Sequence, residues 1–227
     1  MSSLRIVDIG IDEPVAFADG MPVLDHLLER LRDGGPSAVV LAQSQAILAT
    51  GDASPDVTSP HVAQQRAGGT TYFGPGVLLI APIVRADPIL LHEALLKVGE
   101  EVCARYGVTT VRRPHRPGLW VNDEQGWRKI ASIGLASRDF IVGGGGGLSL
   151  NVNPAPGAWD SFDACGIRDV QMTSLAQETS IELGVADVVD NARLVSILEQ
   201  HLCPILIAPE AMELVTSIAA MFQGAAS

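Results

Sequence analysis

Between Asp87 and Gly107 the chain carries a helix marked at both ends, and stretches of strand character lie on either side of it. Asp87 and Pro88 supply an N-cap and a first helical residue, Leu91, Leu95, Val98 and Val102 recur at helical spacing, and Gly107 closes the segment. Upstream, the residues after Gly76 form an apolar strand. Downstream, GLWVNDEQGWRKIASIGL reads as two strands joined by a polar turn from Asn122 to Gly126. A second helix is predicted in MPVLDHLLERLRDGG, where Leu24, Leu27, Leu28 and Leu31 share a face and Gly34 and Gly35 end it, and AVVLA at 38–42 follows as a strand. The expected fold class is mixed α/β.

With 227 residues, 47% of them hydrophobic, and no composition break or linker, one compact domain over 1–227 is expected. No apolar run approaches the length needed to cross a bilayer, and the first residues lack a basic segment followed by an apolar block, so the expectation is a cytoplasmic protein without a membrane partner. A formal charge of −11 argues against a nucleic-acid partner. Arg112, Arg113, His115 and Arg116, followed by Arg128 and Lys129, concentrate positive charge locally, either as a solvated loop or as a docking patch for an acidic partner.

The chemistry-bearing residues are few. The histidines form no short metal-binding spacing, no GxSxG elbow or P-loop occurs, and neither a metal nor a cofactor is expected. Cys103 falls on the 87–107 helix and reads as a small buried thiol, as does Cys203. Cys165 differs: SFDACGIRDV has no periodicity, and a glycine follows the cysteine, which places the thiol on a loop where backbone N–H groups can approach. Strand alternation puts Lys129 on one face with Trp127, Ala131, Ile133 and Leu135, and Arg128, Ile130, Ser132 and Gly134 on the other. Lys129 is then either a strand-end lysine that snorkels to water or a partly desolvated amine suited to proton transfer. The run GGGGG at 143–147 reads as a flexible hairpin or as an edge approached by another chain. It leads into a strand with Leu148, Leu150 and Val152 facing one way.

Taken in order, RAGGTTYFGPG, RKIASIGL, GLSLNVN, and ACG followed by TSLAQE resemble the blocks of the lipoyl(octanoyl) transferases of lipoate biosynthesis, from about Arg66 to Gln177. The resemblance implies a mixed, largely antiparallel sheet flanked by helices, similar to the catalytic domains of biotin protein ligases and lipoate ligases. It implies transfer of an octanoyl group from octanoyl-acyl carrier protein to a lysine of a lipoyl domain, in a 2-oxoacid dehydrogenase or a glycine cleavage protein. Cys165 would be the nucleophile and Lys129 its paired base, with no ATP needed because a thioester is already activated. Arg66, Gly68, Thr71, Tyr72, Phe73, Gly74, Gly76, Ser132, Gly134, Gly146, Gly147 and Leu148 would surround the substrate. Gly68, Gly69, Gly74 and Gly76 would let the backbone run close to an acyl chain beside a wall of Tyr72, Phe73 and residues 77–80. Burial of that chain is worth about 5 kcal/mol, at roughly 0.8 per methylene.

The chain departs from the family pattern at defined positions. Phe73 and Gly146 stand where the pattern has histidines, Ala67 replaces the first glycine of R-G-G, and QSQAILATG at 43–51 replaces E-H-P-P-V-[YF]-T-[LI]-G. These departures leave open a non-catalytic or altered-specificity relative that binds acyl groups or protein partners. An ATP-dependent lipoate or biotin ligase is disfavoured, since the S-G-G-G-A-V-Y-H-D pattern is absent and such an enzyme has no need of Cys165.

Overall fold

A computed structural model describes residues 4–51, 61–63, 69–160, 162 and 170–211. Along the chain run β1 (Arg5–Ile9), α1 (Phe17–Arg32), β2 (Ala38–Ala42), β3 (Ile47–Thr50), β4 (His61–Ala63), β5 (Thr71–Phe73), β6 (Val77–Arg85) and α2 (Pro88–Arg105). Then follow β7 (Val111–Arg113), β8 (Arg116–Asp123), β9 (Gly126–Gly134), β10 (Ser137–Arg138), β11 (Ile141–Val142), β12 (Gly147–Asn151), β13 (Gln171–Met172), α3 (Leu175–Thr179), α4 (Val185–Val188) and α5 (Asn191–Leu202).

The main sheet has the order β1-β2-β6-β12-β9-β8-β7. Pairing is antiparallel throughout this path except for β1 with β2, and β13 adds a short parallel pairing to β9 at Arg128 and Lys129. The expected mixed, largely antiparallel sheet flanked by helices is therefore the fold of the described residues. A smaller sheet, β4-β3-β5, stands apart and carries Phe73.

Both predicted helices form for the reasons legible in their sequences. The Asp87 carboxylate accepts from the Ile89 and Leu90 N–H groups, Pro88 opens α2, and Leu91, Leu95, Val98 and Val102 are buried. Helix α1 begins at Phe17, four residues before the predicted start, and holds Pro22 within its early turns. One face of the sheet, through Leu78, Ile80, Leu148 and Leu150, packs on α2 and α5. The other, through Val40, Leu79, Ala81 and Ile83, packs on Leu24 and Leu31 of α1 and on Phe73. Helix α2 crosses close to the sheet at Gly99, where a Cβ would meet the Leu119 and Leu148 side chains at 2.7 and 2.9 Å.

The glycine run departs from expectation. Strand β12 lies in the middle of the sheet between β6 and β9, so it is not an edge. Gly144 and Gly145 take positive φ to make the turn, but Gly146 and Gly147 are buried, and a Cβ on them would lie 2.6 Å from the Gly134 carbonyl oxygen and 2.1 Å from that of Ile80. These two glycines are there for close backbone packing rather than flexibility. Among the described residues no helix is long and apolar enough to cross a membrane.

Candidate active site

Strand β9 does not keep the alternation that its sequence implies. Leu119 pairs with Ala131 but Trp120 pairs with Lys129, so Ile130 is an extra residue, a β-bulge. The bulge turns both Ile130 and Ala131 into the core and moves Ser132 and Gly134 onto the face of Lys129; Ala131 leaves it, while Ile133 packs against the core and also borders the cleft. The predicted grouping of Lys129 with Ala131 is thereby corrected, and Ser132 and Gly134 join the lysine, because one added residue shifts the alternation of the strand.

Lys129 lies in a cleft of about 440 Å³ of free space. Gly69, Thr71 and Phe73 line it from β5 and the residues before, Ser132, Ile133 and Gly134 from β9, Gly146, Gly147 and Ser149 from β12 and its approach, and Pro117 from β8. The lysine is 1% exposed, which settles the choice between a snorkelling and a buried side chain in favour of burial. Its Nζ lies 5.5 Å from the centroid of the Trp120 ring. Gly118, at φ +104°, makes room for the chain: a Cβ there would stand 2.9 Å from the Lys129 Cε.

The backbone of Lys129 is held at the point where its neighbour strand changes. The Lys129 carbonyl accepts from the Thr173 N–H at 2.9 Å, and the Asn151 side-chain amide donates to the Thr173 carbonyl at 2.9 Å. The Thr173 hydroxyl donates to the Glu178 carboxylate at 2.6 Å, and Glu178 also accepts from Arg128. Arg128 forks onto Asp123 as well, and this shared guanidinium holds the carboxyls of both Asp123 and Glu178 below the usual carboxylate range. The predicted TSLAQE block is thus the clasp that ties α3 to the strand carrying the lysine; the Ser174 hydroxyl caps that helix.

Positive charge near the site is less available than the sequence count implies. Arg112 is paired with Glu93 and Glu100 of α2, Arg128 with Asp123 and Glu178, and Lys129 is buried. Of the six basic residues grouped in the sequence, Arg113, His115 and Arg116 have no ion pair among the described residues.

Of the residues predicted to surround a substrate, Thr71, Phe73, Ser132, Gly134, Gly146 and Gly147 meet Lys129 in the cleft. The other described residues of that set do not line it. Leu148 is fully buried on the α2 face of the sheet, and Ser149 is the β12 side chain that lines the cleft. Gly74 makes room for the Tyr72 phenol, 2.0 Å from where its Cβ would be, and Tyr72 packs edge-on against Trp159. Gly76, at φ +84°, lies against the Asn153 carbonyl, donates to the Gln43 side chain at 2.7 Å and accepts from the Val152 and Asn153 N–H groups. At Gly74 and Gly76 the absence of a Cβ is thus required by protein packing. Cys165, Arg66 and Gly68 lie outside the described residues. Sequence reading missed Ser149, Gly118 and Trp120; for Ser149 the signal was present, since a strand that buries Leu148 and Leu150 turns the residue between them to the other face.

Phe73 bounds a second space. It stacks on Phe17 with ring centroids 6.1 Å apart and also lines an apolar cavity under α1 formed with Met21, Leu24, Val77 and Leu79. Leu79 is the register partner of Ser149, so the two spaces lie side by side on one sheet face with Phe73 between them. The other cysteines are chemically quiet: burial pushes the Cys103 thiol up to about 12, and burial likewise raises that of Cys203. Among the described residues no group of His, Cys, Asp and Glu could hold a metal ion.

Comparison with known proteins places the chain in a family and agrees with its fold. The family described as lipoyl protein ligase A/B catalytic domain matches residues 43–194. The chain is 37% identical over 172 residues to an octanoyltransferase of Mycolicibacterium paratuberculosis, covering 69% of this chain and 71% of the relative. It is 30% identical over 190 residues to an octanoyltransferase of Geobacter sp. strain M21, covering 79% and 89%. Among solved structures, its fold is similar to that of Plasmodium falciparum LipL1 in complex with lipoate, with a TM-score of 0.64 at 9% identity over 87% of this chain and 61% of that one. The bi-partite lipoate protein ligase of Thermoplasma acidophilum gives a TM-score of 0.60 at 11% identity over 88% and 84%.

Proposed function

The chain belongs to the lipoyl protein ligase A/B catalytic-domain family, and from this we infer that it is an acyltransferase that moves an octanoyl group onto a protein lysine in lipoate biosynthesis. The observation that carries the reading is the convergence of three separate sequence blocks on one buried lysine: Thr71 and Phe73, Ser132 and Gly134, and Gly146 and Gly147 all line the cleft that holds Lys129.

In the proposed reaction Cys165 is the nucleophile. Its thiolate attacks the carbonyl carbon of the donor thioester, the bond to the donor sulfur breaks, and the donor leaves as a thiol once it gains a proton. A new thioester to Cys165 holds the acyl group. The acceptor lysine amine then attacks this carbon, an amide forms, and the Cys165 sulfur leaves. Lys129 favours the thiolate while charged and exchanges protons with the sulfur and the incoming amine. The donor is octanoyl-acyl carrier protein and the acceptor a lipoyl domain. The cleft is bounded by the backbone of Gly146 and Gly147 and by Thr71 and Phe73, a narrow wall against which an extended hydrocarbon would lie.

The test is intact mass after mixing the protein with octanoyl-acyl carrier protein in the absence of ATP, beside a Cys165→Ala control. One octanoyl group on the unaltered protein, removed by hydroxylamine and missing from the control, is the expected result. A folded protein that stays unmodified with octanoyl, lipoyl and longer donors overturns the reading. Such a result favours instead an acyl- or partner-binding relative, for which the replacement of histidine by Phe73 and Gly146 is the supporting observation.

A further inference from the structure

Strand β7 is the last strand of the main sheet, and the hairpin it forms with β8 runs along the rim of the Lys129 cleft: Pro117, one residue past Arg116, is part of the lining. Arg112 on this hairpin is neutralised by α2. Arg113, His115 and Arg116 have no carboxylate partner among the described residues, and His115 is exposed.

Two features hold these basic side chains in place. The Arg113 guanidinium lies 5.3 Å from the ring centroid of Trp120 and 4.8 Å from that of Trp127, so two indoles hold it in place by cation–π contact. His115 has φ +58°, a left-handed conformation uncommon for a residue with a Cβ, and this turns the chain sharply between β7 and β8. On a chain of net charge −11, a positive rim beside the cleft is selective for an acidic partner, which the rest of the acidic surface repels.

We propose that the β7–β8 hairpin, through Arg113, His115 and Arg116, is the docking surface for the acidic carrier protein that delivers the acyl thioester. This rests on the transferase reading above. The donor rather than the acceptor is assigned because of what each step requires. In the first step a hydrocarbon tethered to a protein has to be inserted into the cleft, so the carrier must be held at a fixed orientation on the rim. In the second step the hydrocarbon is already in the cleft and the acceptor presents only the end of a lysine.

The experiment compares the unaltered protein with the double variant His115→Glu, Arg116→Glu. The first readout is the Kd for octanoyl-acyl carrier protein at low salt, which does not depend on turnover. The expected result is a loss of affinity of about tenfold or more, shrinking as salt is added. The second readout is transfer from two donors, octanoyl-acyl carrier protein and the octanoyl thioester of a small thiol. The KM for the carrier-bound donor rises with kcat little changed, while turnover of the small donor is unaffected. An unchanged Kd, an equal loss with both donors, or a rise confined to the KM for the lipoyl-domain acceptor overturns the proposal. Should the unaltered protein transfer from neither donor, the transferase reading fails, and the Kd comparison still decides whether the hairpin binds the carrier.

Discussion

The Lys129 ammonium nitrogen stands 5.5 Å from the centre of the Trp120 ring, and the two residues are register partners across β8 and β9. Both are essentially fully buried, at 1% exposure each. An aromatic face opposite a desolvated lysine stabilises its charged form by up to about 2 kcal/mol.

Replacing Lys129 by Met, which keeps the apolar stem and removes the charge, is expected to leave the fold intact and lower acyl transfer by about 10²-fold or more, the usual worth of a proton-transfer group. Single-turnover acylation and thermal unfolding of the same sample separate the two effects. Trp120→Phe retains an aromatic face and is expected to keep more activity than Trp120→Leu. Equal activity in these two, at equal folded fraction, contradicts a role for the ring in holding the lysine.

Glu178 couples acid stability to the site. Its folded carboxyl lies below the ordinary carboxylate value, chiefly through the hydrogen bond from Arg128. A depressed carboxyl contributes stability that is fully present above the ordinary range and is lost as pH falls through the folded value. Glu178→Gln is therefore expected to cost about 1.5–3 kcal/mol near neutrality, the worth of hydrogen bonds to a charged group, and to flatten the acid limb of the stability curve. Urea denaturation at several pH values measures both. A variant whose acid limb matches that of the unaltered protein refutes the coupling.

Gly146 stands where the family pattern has a histidine, but here a Cβ would lie 2.6 Å from the Gly134 carbonyl oxygen, a backbone atom that cannot swing away. Restoring the histidine by Gly146→His is expected to destabilise by about 1–3 kcal/mol, the range for overpacking, and not to raise activity. Chemical denaturation of Gly146→Ala isolates the Cβ from the imidazole. A cost close to zero in that variant shows that β9 yields at this point.

Phe73 separates the Lys129 cleft from the apolar cavity under α1. Phe73→Leu is expected to join the two spaces and to shift preference toward longer acyl chains, at a stability cost below the roughly 3–5 kcal/mol of a full truncation to Ala. The ratio of kcat/KM across a series of acyl-carrier donors of increasing length reads the shift. An unchanged ratio places the hydrocarbon elsewhere.

Thiol labelling provides an independent check on the nucleophile. Cys103, with its thiol raised to about 12 by burial, is expected to resist alkylation of the native protein at neutral pH, and Cys203, also raised, to react slowly. Mass mapping after brief iodoacetamide treatment is expected to find the label on Cys165. Preferential labelling of Cys103 or Cys203 contradicts the assignment.

The sequence by itself determined the local elements and the chemistry available to them. The Asp87–Pro88 cap and the leucine spacing specify α2, the polar turn specifies the β8–β9 hairpin, and the ordered blocks identify the family, because caps, turns and periodicity act within a few residues along the chain. Which way the lysine faces relative to Ser132 was decided only by pairing. A bulge at Ile130 exists because β8 and β9 differ by one residue there, and no pattern within β9 alone records the length of its partner. The same holds for the glycines. Gly74, Gly76, Gly146 and Gly147 look alike as letters, and only the atoms brought against each of them distinguish a phenol or a turn from a strand packed on the cleft wall. Charge followed the same rule: Arg112 and Arg128 are neutralised by carboxylates on α2 and α3, distant in sequence, so the basic segment contracted to Arg113, His115 and Arg116 once the helices docked on the sheet.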